Sequence, residues 1–80
     1  MEFDRLRELL ADLFDRNPEE ITPATTFDEL LADELDFVEL AWMIQEETGL
    51  EPLEGEDLRP IATVGELLLY VKTSQTAQAE

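Results

Sequence analysis

Asp33, Glu34 and Asp36 crowd into one short segment, and Glu39 follows about one helical turn later. Neighbouring carboxylates can share acid and base work, or hold a divalent cation between their oxygens. Acid–base catalysis also needs a nucleophile, a cationic stabiliser and a pocket, and no residue pattern here supplies them. The chain has no His and no Cys. That removes the commonest general base, the thiolate nucleophile and the usual transition-metal ligands. A calcium loop alternates its ligands and turns on a glycine; this cluster does neither. Helix capping explains the same acids more simply. Asp33 is a good N-cap, and Glu34 and Asp36 place negative charge where a helix dipole favours it. No catalytic residue and no metal ligand is assigned. A carboxylate-based metal-binding protein stays open as the lesser alternative, with calcium or magnesium as its weakly held ions.

The balance of charge points towards binding. Against 21 Asp and Glu stand 5 Lys and Arg, a formal net charge of −16 on 80 residues. Between Arg16 and Arg59 every charged side chain is acidic. Such a polyanion is repelled by phosphate backbones and by anionic membrane surfaces, so neither nucleic acid nor membrane is expected as a partner. The acids are either a solvated surface or a negative field that steers basic partner proteins. With 44% hydrophobic residues at regular spacing, the chain reads as one folded domain. The acidic start, Met1-Glu-Phe-Asp4, lacks the basic and apolar regions of a leader, and no apolar run reaches membrane length. The expected location is the cytoplasm. No internal repeat is visible.

The elements that must position these acids are helical. Phe3, Leu6, Leu10 and Leu13, with Leu9 and Phe14 alongside, recur at helical spacing and predict a helix over about 2–16, ended by Asn17-Pro18. Residues 17–33 form a long connection with apolar anchors at Ile21, Phe27, Leu30 and Leu31, of which Ile21 and Phe27 are the pins, and with a capping-box pattern in Thr26-Phe-Asp-Glu29. A second helix is predicted over about 34–48, begun by Asp33 and stopped by Gly49. Pro52 and Gly55 break the next stretch, and Glu56-Asp-Leu-Arg59 suits a brief helical turn before Pro60. Thr63-Val-Gly-Glu66 is a further capping box, followed by Val64, Leu67, Leu68 and Val71 as a buried stripe. Residues 1–73 form the expected domain, and 74–80 a polar, frayed tail. No strand alternation is present.

On a wheel of about 100° per residue, the second helix is apolar on two sides. Phe37, Leu40, Ala41, Ile44 and Thr48 make the core side. Leu35, Val38 and Trp42 lie away from it, bordered by Glu34, Glu39 and Glu46. A bundle this small buries one such side fully. The second is therefore either covered by the preceding loop or a docking stripe, with Trp42 as anchor inside a charged rim.

Here the residues resemble a family. Asp33-Glu34-Leu35-Asp36-Phe37-Val38-Glu39-Leu40 is similar to the Asp-Ser-Leu-Asp-x-Val-Glu-Leu signature of acyl carrier proteins. Pro18-Glu-Glu-Ile-Thr22 with Thr26-Phe27 resembles the family's first loop. Ala32, Glu46-Glu47 and Gly49 match around the second helix, and Thr63-Val64-Gly65 resembles the start of the last. The resemblance covers residues 1 to about 72. It implies an all-α, four-helix acyl-carrier-like bundle with a long first loop and a short third helix. It implies a role in fatty-acid or polyketide-type acyl metabolism, with 4′-phosphopantetheine attached to a serine. It also places Asp33, Leu35, Asp36, Val38, Glu39, Trp42 and Glu46 on the family's docking surface, which takes the basic faces of acyl-processing or synthase enzymes. A monomer is expected. Lesser departures are Leu31 for a common glycine and Thr48 for a bulky apolar residue.

One departure governs the chemistry implied. Glu34 stands where the family has its serine, and the only serine in the chain is Ser74. A carboxylate cannot form the stable phosphodiester that an aliphatic hydroxyl forms. The resemblance therefore implies a docking module without the arm and without a cofactor. The alternative is a genuine carrier whose serine was replaced by engineering or error.

Overall fold

The computed structural model describes residues 1–50 and 53–78, with side chains through Gln75. Glu51, Pro52 and the last two tail residues lie outside the described residues, so the break expected at Pro52 is not addressed. Four α-helices follow one another: α1 (Phe3–Phe14), α2 (Glu34–Thr48), α3 (Gly55–Leu58) and α4 (Val64–Gln78). Among the described residues there is no strand, only an isolated bridge between Thr26 and Thr63. The all-α bundle with a long first loop and a short third helix is what forms.

Leu6, Leu10, Ile21, Leu40, Ile44, Leu58, Val64, Leu67 and Val71 make the centre of the core. Each helix thus gives one stripe to a shared interior, as its apolar spacing requires. Phe37 and Thr48 are half-buried at the edge of that core. Phe37 packs edge-on against Phe27, with ring centres 5.5 Å apart. Thr48 turns its hydroxyl back to the Ile44 carbonyl at 2.7 Å, which satisfies a polar group where the family favours a bulky apolar one.

The long connection is anchored. Ile21 and Phe27 are buried, as their role as pins requires. A short 3₁₀ turn over Pro18–Glu20 is capped by the Asn17 side chain, which accepts from Glu19 N–H at 3.0 Å. Thr26 and Glu29 form the expected reciprocal cap, Glu29 N–H donating to Thr26 Oγ1 at 3.1 Å and Thr26 N–H to Glu29 Oε1 at 3.4 Å. Phe27 N–H donates to the Ala62 carbonyl and Val64 N–H to that of Thr25, which ties the connection to the entrance of α4.

Two helix ends differ from the sequence expectation. α1 closes at Phe14, because Asp15 takes the left-handed conformation at φ 54° and both Asp15 and Arg16 N–H reach back to Ala11. α4 runs past Thr73 to Gln78, where a frayed tail from residue 74 was expected. No Gly or Pro interrupts residues 66–78, and Gln and Ala are sound helix formers. The N-terminal ammonium also donates to Gln75 Oε1 at 2.7 Å, which secures the extension.

Candidate functional site

The N-terminus of α2 is built by its own acids. Asp36 N–H donates to Asp33 Oδ1 at 2.9 Å, and Asp33 N–H donates back to Asp36 Oδ2 at 3.0 Å. This reciprocal box uses two backbone donors that the helix would otherwise leave unpaired. Asp33 and Asp36 thereby each give one carboxylate oxygen to the cap. Among the described residues no group of three or more acids, His or Cys is placed to hold a metal ion.

Between those two acids Glu34 points outward. Its side chain is 75% exposed, and its nearest cation is Arg59, whose Nη1 lies 3.6 Å from Glu34 Oε1. Arg59 sits at the end of α3 and also borders a cavity of about 270 Å³, walled by Phe27, Ala32, Phe37 and Ile61. An exposed pair of this length contributes little to folding.

Beyond Glu34 the outer face of α2 is apolar. Leu35 is 77% exposed, Val38 54% and Trp42 59%. Their spacing of i, i+3 and i+7 sets them on one face of the helix. Glu39 and Glu46 are exposed beside them. The preceding loop does not cover this stripe, so the covered reading of these three residues is set aside. Leu31, expected as an anchor of the first connection, is instead 79% exposed, because its left-handed backbone at φ 59° accompanies a side chain turned to solvent just before the cap. Leu69 and Tyr70 on α4 are also exposed.

The face is held from behind. Gly55, at the start of α3, lies against Val38 so closely that a Cβ there would come within 2.9 Å of the Val38 amide nitrogen. Gln45 Nε2 donates to the Leu53 carbonyl at 2.6 Å, fixing the approach to α3. At the far end, Arg5 of α1 bonds Glu47 at 2.8 Å. That hydrogen bond holds the Glu47 carboxyl below its usual range and raises the Arg5 guanidinium.

Sequence reasoning placed Leu35, Val38 and Trp42 apart from the core. It missed Arg59, and it took Leu31 for an anchor of the first connection although that side chain is exposed. Arg59 carried a weak signal, as the first cation after a long acidic interval. Leu31 carried one in standing where glycine is common.

Residues 4–71 match the family described as the phosphopantetheine attachment site. An acyl carrier protein of Clostridium perfringens is 43% identical over 70 residues, which covers 86% of this chain and 91% of the relative. An acyl carrier protein of Wolinella succinogenes is 35% identical over 74 residues, covering 91% of this chain and 96% of that one. The NMR structure of the HMG-ACPI domain from the CurA module of Lyngbya majuscula superimposes with a TM-score of 0.82 at 24% identity, over 98% of this chain and 78% of that one.

Proposed function

This chain belongs to the acyl carrier protein family of acyl metabolism, and from that premise we propose a docking module that binds acyl-processing or synthase enzymes and carries no acyl group itself. Like the other members of the family, it is not an enzyme. The observation that carries the docking role is the exposed stripe Leu35, Val38 and Trp42 within acidic borders. An aromatic anchor inside a charged rim is the usual make-up of an interface centre. Asp33, Asp36, Glu39 and Glu46 form the rim, so the complementary partner surface is basic. The working form is a monomer, since pairing two copies of so negative a face is unfavourable. The proposed compartment is the cytoplasm, where acyl carrier proteins act.

The family's 4′-phosphopantetheine does not fit the residues present. A phosphodiester link needs an aliphatic hydroxyl at the start of α2, and that position is proposed to be Glu34. Ser74 lies on α4. Thr25 is buried and accepts from Thr22 N–H, while the Thr22 and Thr26 hydroxyls are engaged in their own turns. The test is direct. Incubated with a phosphopantetheinyl transferase and coenzyme A, the protein keeps its intact mass, whereas Glu34→Ser gains one pantetheine arm. Addition of an arm to the unaltered protein overturns the proposal.

A further inference from the structure

The mismatch between Glu34 and an arm-bearing serine has a definite stereochemistry. In a phosphoserine linkage, phosphorus follows Cα, Cβ and Oγ. In glutamate, the carboxyl carbon Cδ follows Cα, Cβ and Cγ. The carboxyl carbon therefore stands the same number of bonds from the backbone as phosphorus does. Each centre carries a single negative charge at neutral pH, shared between its terminal oxygens. A guanidinium recognises both groups in the same forked manner.

The structure adds that this carboxylate is available. Glu34 is 75% exposed at the head of the apolar stripe, while its neighbours Asp33 and Asp36 each give one carboxylate oxygen to the cap. Arg59 already approaches it at 3.6 Å, which shows that a guanidinium can reach it there without moving the helix. Arg59 is itself 57% exposed, so a partner cation can replace it.

We propose that Glu34 is a built-in substitute for the phosphodiester of an arm-bearing carrier, and that the partner is a protein whose cationic phosphate pocket opens beside an apolar groove. The inference rests on the docking reading of α2. Leu35, Val38 and Trp42 fill the groove, and the Glu34 carboxylate enters the pocket. The chain thus presents the charge of a loaded carrier with no arm to deliver, and it competes with arm-bearing carriers for the same enzymes.

The probe is a purified synthase that takes acyl groups from an arm-bearing carrier, immobilised for binding measurements at fixed salt. Glu34→Gln keeps the shape and removes the charge. It is expected to bind about tenfold more weakly or worse, the usual loss for one charge-assisted hydrogen bond. Free 4′-phosphopantetheine is expected to displace the unaltered protein and leave Glu34→Gln unaffected. Arg59→Gln, which frees the carboxylate, is expected to bind no more weakly than the unaltered protein. Glu20→Gln removes one acid from the first loop and is expected to change affinity less than twofold. If Glu34→Gln binds as tightly as the unaltered protein, or loses no more than Glu20→Gln does, the phosphate substitution is wrong. If Trp42→Ala still weakens binding in that case, the docking reading survives it. If neither Trp42→Ala nor Glu39→Lys weakens binding, both fall together.

Discussion

Gly55 of α3 lies against the backbone of Val38 in α2: a Cβ built on Gly55 would lie 2.9 Å from the Val38 amide nitrogen and 3.0 Å from its Cα. These are backbone atoms of a regular helix and cannot swing aside. Gly55→Ala is therefore expected to lower stability by about 1–3 kcal/mol, the usual cost of overpacking. Shortening the neighbour does not repair it, because Val38→Ala leaves the backbone in place. Urea unfolding of the single and double variants measures both, and full recovery in the double variant would contradict the contact.

Trp42 and Ile44 lie near each other on α2 yet face opposite environments, Trp42 exposed and Ile44 fully buried. Trp42→Ala is expected to cost roughly 2 kcal/mol or more of partner binding and to leave the melting temperature nearly unchanged. Ile44→Ala is expected to cost about 2–5 kcal/mol of folding stability as a core truncation. Glu39→Lys should slow association and flatten its salt dependence, since a rim charge acts mainly on encounter. Calorimetry and binding kinetics on the three variants separate these effects.

Leu31 holds a left-handed backbone at φ 59° while its side chain is almost wholly in solvent. For a residue with a Cβ that conformation costs about 1–2 kcal/mol. Little burial is lost by removing the side chain, but glycine gives back part of the gain through its freer unfolded state. Leu31→Gly should thus raise stability by about 1 kcal/mol or less. A destabilised Leu31→Gly in chemical denaturation would show that the side chain packs more than its exposure indicates.

The unbroken acidity between Arg16 and Arg59 predicts a response to salt. Like charges on so small a surface repel one another, and salt screens them over a Debye length of about 10 Å at 0.1 M. Added NaCl or millimolar magnesium should raise the melting temperature. A flat titration would mean that the acids stand too far apart to repel appreciably.

What the chain reveals of itself depends on how local the cause is. α2 was legible because Asp33 begins it and Gly49, at φ 77°, ends it, both acting within a turn of their own position. The outward side of Leu35, Val38 and Trp42 was legible because helical periodicity alone separates it from Leu40, Ala41 and Ile44. The Glu34–Arg59 pair was not, because it depends on where α3 ends relative to α2. The continuation of α4 was missed because Thr73, Ser74 and Gln75 read as a polar tail, while the contact that secures them comes from Met1 at the other end of the chain. Leu31 shows the same limit: its apolar type suggested a buried anchor, and only its standing where glycine is common hinted at the left-handed backbone.

The pairing of residues 23–27 with residues 62–65 also bears on how the protein opens. Phe27, Val64 and Gly65 donate their amides across this seam, and Phe27 is buried beside it. A connection this long is ordinarily the first part of a domain to exchange its amide hydrogens with solvent. Here the Phe27 amide bonds Ala62, and Val64 and Gly65 at the start of α4 bond back to Thr25 and Pro23, so the loop end and the first turn of α4 open together. The Phe27 amide should exchange in the same slow cooperative step as the Val64 and Leu67 amides, so this end of the long loop opens with the core rather than as a hinge.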